Sequence, residues 1–295
     1  MLKPVLRKLH LFCLTACAAV LLAGCQSPTA PVETPSITVN LSSPSITPTP
    51  TPPHYPTATQ TLTPPLPTAS LTPTGTPVPT ICSPLEGVSL ADLPVMIVNP
   101  YHPPPLGSDD PHQGIDLAQV QDGVAISGLP VQAVLDGVVV LVTADRFPYG
   151  NALLIETPLD SLPPAWLEGL DLPEAPATPQ VRSALTCPTP QAPLTGDSQG
   201  RSLYLLYAHM RDAPSISPGD SISCGQALGE IGASGNALNP HLHLEARLGP
   251  AGASFPGMAH YDPSATVDEM ASYCLWRVSG DFLSFDPLRL FNTFP

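Results

Sequence analysis

The chain has 295 residues, 42 of them Pro, and its charged side chains make up 12%, about three times the usual share of proline and about half the usual share of charge. Its 24 acidic residues stand against 10 Lys and Arg, and three of those ten (Lys3, Arg7 and Lys8) precede Cys25, leaving seven Arg, no Lys and a formal charge near −17 for the remainder. Such a chain repels phosphate backbones and anionic membrane surfaces, both of which recruit proteins through Lys and Arg, so nucleic-acid binding is excluded.

Residues 1–25 read as an export signal. Lys3, Arg7 and Lys8 form a positive start, and Leu11 to Leu22 is an apolar run of about 12 residues, short of the roughly 20 that span a bilayer. The run ends in Leu22-Ala23-Gly24-Cys25, which resembles the lipobox of bacterial lipoproteins. That resemblance implies acylation of Cys25, which becomes the mature N-terminus and tethers the remainder to a bacterial membrane through lipid. Residues 26–80 are nearly all Pro, Thr and Ser, with one charge, Glu33. Proline removes backbone donors and holds φ near −65°, so a run such as Thr47-Pro48-Thr49-Pro50-Thr51-Pro52-Pro53 propagates neither helix nor sheet. A disordered, semi-stiff spacer of polyproline character is expected there. Beyond it remain Cys82, Cys187, Cys224 and Cys274, an even number suited to an oxidising compartment. Two disulfides are expected, in one of three connectivities. None of the four lies in a C-x-x-C pattern, which argues against a cysteine zinc site.

Residues 81–295 are long enough for one domain with its own core, and their signals are those of strands. Pro130 to Gly137 and Val138 to Val142 read as two strands around a Gly-containing turn, Asn151 to Glu156 as a third and Ser202 to His209 as a fourth. Ile216 to Gly229 has Gly or Pro every few residues, as tight turns between short strands require. His241 to Glu245 alternates strictly. The architecture expected is mainly antiparallel β. Two stretches, about 157–200 and 249–280, lack that alternation and read as surface insertions, the first as a groove wall or lid and the second with a short helix at Val267 to Ser272.

The chemistry is concentrated in three short motifs. In His112-Gln-Gly-Ile-Asp116, Gly114 lets His112 and Asp116 converge. Tyr207-Ala-His209 ends a strand, with Tyr207 either assisting His209 or packing. In His241-Leu-His243 the period of two puts both imidazoles on one face and Leu242 and Leu244 on the other. Two His and one carboxylate supply three ligands and leave a fourth tetrahedral position for water, the arrangement of a catalytic zinc site. His102 reads as a surface residue or as a further polar group beside the cleft.

Together and in this order the motifs resemble the lysostaphin-type (LytM-like) zinc metalloendopeptidases that cleave peptidoglycan. The likeness extends to Asp136-Gly137-Val138-Val139, Tyr149-Gly150-Asn151, the Gly219 to Gly229 and Gly232 to Asn236 turns, His241 to Glu245 and Asp286-Pro287-Leu288. It implies an antiparallel β-sheet groove of the duplicated hybrid motif type, carrying the two loop insertions. It also implies that His112, Asp116 and His243 hold one Zn²⁺ per chain. His209 and His241 would flank it as catalytic residues, one as general base and one stabilising the tetrahedral intermediate, with their division left open. The implied substrate is a peptide bond of peptidoglycan stems or cross-bridges. Two features depart from the family: Asn239-Pro240 stands where Gly-Pro is usual, and the segment Tyr101 to Pro111 before His112 lacks the Arg often found there. Degenerate relatives act as non-catalytic binding or activating modules for other wall hydrolases; all five His and Asp positions are present here, which favours catalysis.

Overall fold

The structure is a computed structural model that describes residues 79–102, 108–174, 185–194 and 200–292. The expected export signal with Cys25, and all but the last two residues of the expected 26–80 spacer, lie outside the described residues. In chain order the first elements are α1 (Leu93–Met96), β1 (Ile97–Asn99), β2 (Ile115–Leu117), β3 (Gln119–Gln121), β4 (Val124–Ile126) and β5 (Pro130–Gln132). There follow β6 (Gly137–Arg146), β7 (Gly150–Pro158), α2 (Pro164–Gly169), β8 (Arg201–Met210), β9 (Ser221–Ile222) and β10 (Ala227–Glu230). The chain closes with β11 (Leu242–Pro250), α3 (Val267–Val278), β12 (Leu283–Phe285) and α4 (Leu288–Asn292). Among the described residues no helix is long and apolar enough to cross a membrane.

The fold is mainly β. One antiparallel sheet runs in the order β1-β2-β11-β8-β7-β6-β9, with β12 pairing β11 beyond β2. Its central strands are apolar on both faces. Along β8, Leu203, Leu205 and Tyr207 enter the main core with Leu153, Ile155, Leu242 and Leu244. Tyr204, Leu206 and Ala208 enter a second core with Leu141, Leu154, Trp276 and Phe282. The alternation of a strand divides one continuous apolar run between two layers.

That second layer corrects the reading of 249–280 as a surface insertion. Its helix runs on to Val278, and Ala271, Tyr273, Cys274 and Trp276 are buried on it. The far face of the sheet is apolar and needs a cover, and α3 with Phe255, Met258 and Phe282 provides it. The helix begins at Thr266, whose side chain accepts from the Glu269 N–H while Glu269 bonds back, a reciprocal cap spelled Thr-x-x-Glu in the sequence.

The 157–200 stretch also differs from expectation. Leu162 and Leu170 are buried in the main core with Trp166 packed beside them, and none of its described residues lines the groove below. Gly137 is not a hairpin turn either. It starts β6, whereas β5 pairs with β10 in a separate two-stranded piece. A Cβ at 137 would meet the Glu156 carbonyl at 2.5 Å, so the missing side chain serves close strand approach. Of the three connectivities, the disulfides are Cys82–Cys224 and Cys187–Cys274.

Candidate metal centre

Strand register assembles the centre. His243 on β11 lies directly opposite Asp116 on β2 and Ala208 on β8. Leu242 and Leu244 point into the main core, so His243 emerges on the other face beside His241. Gly114 allows the approach of the His112 segment, because a Cβ there would lie 2.6 Å from the Leu244 carbonyl oxygen and 2.9 Å from His243 Cε1. His112, Asp116 and His243 thereby form the group among the described residues able to hold a metal ion.

Within that group His112 Nε2 is 2.9 Å from Asp116 Oδ1 and 3.0 Å from His243 Nδ1, and His243 Nδ1 is 2.8 Å from the same oxygen. The outer atoms of both rings decide what those contacts are. His112 Nδ1 lies 2.9 Å from the Pro100 carbonyl, and His243 Nε2 lies 3.1 Å from Glu245 Oε1. Both partners only accept, so each imidazole carries its proton on the outside and turns a lone pair inward. Three inward acceptors around one point require a cation. In a tetrahedral zinc site with bonds of about 2.0–2.1 Å, neighbouring donors stand about 3.3 Å apart, a few tenths of an ångström wider than here. Donor type, tautomer and spacing all fit zinc.

The charge state agrees. Burial would raise the Asp116 carboxyl, but hydrogen bonds and charge from His112 and His243 hold it well below the usual carboxylate range. Its Oδ2 accepts from Asn99 Nδ2 at 3.0 Å. Burial disfavours charge on His243, yet Asp116 and Glu245 outweigh it and push its pKa up to about 9.

His209 and His241 stand beside these ligands. Their rings are 4.8 Å apart, and the His209 ring is 5.7 Å from that of His243. Alternation along β8 would send His209 into the main core after Leu203, Leu205 and Tyr207. Its left-handed backbone, φ 63°, ends the alternation, and its ring lies in the groove. His209 Nδ1 donates to the Ser234 carbonyl and His241 Nδ1 to that of Asn239, each at 2.8 Å, which in the neutral ring of His209 leaves Nε2 as a lone pair. His241 Nε2 is 3.6 Å from Asp116 Oδ1. Burial, then the charges of His243 and His241, lower the His209 pKa to about 3, so it is neutral at physiological pH. Tyr207 packs: it is fully buried, its hydroxyl accepts from the Val134 N–H, and it does not line the groove. His102 is exposed and also lies outside the lining.

The groove has a volume of about 560 Å³. Its walls come from Asp109 and Asp110, Phe147 to Tyr149, Asn236, and Tyr261, Tyr273 and Arg277 of the second insertion. Sequence reading missed the layer behind the ligands. Glu245, fully buried, accepts from His243, Tyr149, Trp276, Arg247 and Arg277. Its signal was present, since Glu245 follows His243 by the strand period of two. The segment from Tyr101 to Pro111 before His112 holds no arginine, and the guanidinium at Asp109 arrives from α3.

A family model described as Peptidase family M23 matches residues 195–254, the stretch that carries His209, His241 and His243. Among solved structures, a peptidase M23 from Pseudomonas aeruginosa aligns at 17% identity over 73% of this chain and 56% of its own, with a TM-score of 0.32. This chain therefore spans a little over half of that one. The catalytic domain of a prophage-encoded M23 protein from Enterococcus faecalis aligns at 21% identity over 59% and 88% of the two chains, with a TM-score of 0.31. The catalytic domain of lysostaphin from Staphylococcus simulans aligns at 20% identity over 51% and 77%, with a TM-score of 0.30.

Proposed function

We propose that this chain, of which residues 195–254 match the model of peptidase family M23, is a zinc-dependent endopeptidase that hydrolyses peptide bonds in peptidoglycan stems or cross-bridges. The observation that carries this reading is the convergence of three inward lone pairs, from His112, Asp116 and His243, next to two further imidazoles on the same groove.

His112 Nε2, Asp116 Oδ1 and His243 Nδ1 would hold the metal. Zinc, when bound there, supplies Lewis acidity that activates water and polarises a carbonyl. His209 is fixed through Nδ1 by the Ser234 carbonyl, so its Nε2 lone pair faces the groove, placed to accept a proton from attacking water. His241, more open to the groove, is placed to hold the charge that develops on the scissile carbonyl oxygen once its Nε2 carries a proton. The aromatic and polar walls at Phe147, Tyr149 and Tyr261 suit an extended peptide. The lipobox at Cys25 adds a lipid anchor, and the Pro/Thr/Ser spacer reach, so that the enzyme works outside the cytoplasm against the wall.

Metal analysis of the purified full chain should give close to one zinc, and His243→Ala should lose most of it; unchanged content would remove the ligand assignment. His209→Ala should keep its zinc yet release no peptide fragments from sacculi by mass spectrometry. Full activity in that variant would end its catalytic role. Cys25→Ser should move the chain from the membrane fraction to the soluble one, and continued membrane association would refute the lipid anchor.

A further inference from the structure

We infer that Arg277 on α3 is a positioning residue for the metal centre, bracing both of its histidine ligands through one guanidinium. The inference rests on the metal-site reading above. Arg277 Nε donates to Asp109 Oδ1 at 2.6 Å and Nη2 to the Asp109 carbonyl at 2.6 Å. Asp109 lies on the segment that leads directly into His112. From the other side of the same planar group, Nη1 donates to Glu245 Oε1 at 2.9 Å. That oxygen is the one that accepts the His243 Nε2 proton.

The division of labour at Glu245 makes Arg277 specific. Arg247 takes Oε2, through Nε at 2.9 Å and Nη2 at 2.7 Å, and Arg277 takes Oε1. Glu245 is completely buried, where a carboxylate without full hydrogen bonding is costly. Without Arg277, the oxygen that orients His243 keeps only the Tyr149 hydroxyl besides His243 itself. Asp109 would at the same time lose its charged partner, retaining the Tyr261 and Tyr273 hydroxyls. An ammonium reaches one of these carboxylates at a time, whereas a rigid fork spans both. The attachment of α3 does not depend on this contact, because Trp276 is itself fully buried in the second core. Arg277 therefore orients the ligands through Asp109 and Glu245 and does not itself hold the metal.

The test is the zinc affinity of the full chain, read by competition with a chromophoric chelator. Partners behind metal ligands typically change affinity by about 10–100-fold, and a loss in that range is expected for Arg277→Met. Thr266→Ala, which uncaps α3 without touching Asp109 or Glu245, is the control for mere loosening of the helix and should bind zinc like the parent. A folded Arg277→Met with parental affinity overturns the inference, as does an equal loss in Thr266→Ala. Should Arg277→Met fail to fold, Arg277→Lys decides: weakened zinc binding supports the role and parental binding ends it. If the parent chain itself binds no zinc, the metal-site reading has failed instead.

Discussion

Gly114 marks how tightly the centre is built at the scale of single residues. A methyl group there would press on the Leu244 carbonyl and the His243 ring together. Because the first contact is backbone, the strand rather than a flexible side chain must yield. Gly114→Ala should therefore lose roughly 1–3 kcal/mol by overpacking and bind less zinc, measured by urea unfolding and metal content. Parental values for both would show that the close approach is not a constraint. The five polar residues of the centre were readable because each sits in a short motif with a local geometric meaning: a Gly-relaxed turn at His112 to Asp116, a strand end at His209, an alternating pair at His241 and His243. What could not be read was the proton map. It follows from the Pro100, Asn239 and Ser234 carbonyls and the Glu245 carboxylate, and a short motif does not record which ring such an acceptor faces.

Among elements, α3 departs furthest from its sequence appearance. The short helix expected at Val267 to Ser272 was read as a surface piece, because its buried side is assembled from Ala, Tyr, Cys and Trp and continues to Val278. The capping signal Thr266-Val-Asp-Glu269 was there to be used. Trp276 concentrates the consequence, for its ring packs on Tyr204 and Phe282, Arg247 lies 4.6 Å over it, and its N–H donates to Glu245. Trp276→Ala should cost about 3–5 kcal/mol, as large-to-small changes at buried aromatic sites do, read from denaturant midpoints. A cost under about 1 kcal/mol, typical of surface positions, would return α3 to the status of an appendage.

For the molecule as a whole, two covalent links tie distant chain segments together. Cys82–Cys224 closes a separation of 142 residues and Cys187–Cys274 one of 87. The second fastens the described part of the first insertion to the helix of the other, so the two stretches brace each other. Constraint of the unfolded chain by a loop that long contributes roughly 2–4 kcal/mol in practice. The double variant Cys187→Ser with Cys274→Ser should unfold at lower denaturant by that amount while keeping its zinc, since neither Cys touches the ligands; undiminished stability would show the link to be ornamental.

The sequence by itself determined the β class, the even cysteine set and the short motifs whose five polar side chains meet in one groove. All of these depend on composition and local patterns: turn residues and a period of two. Tertiary structure alone decided which cysteines pair, that the central sheet is covered on both faces, and that Asp109, Glu245 and Arg277 back the ligands. Those contacts join residues more than a hundred positions apart in several cases, and no short-range pattern records a partner that only the register of β2, β11 and β8 brings within reach.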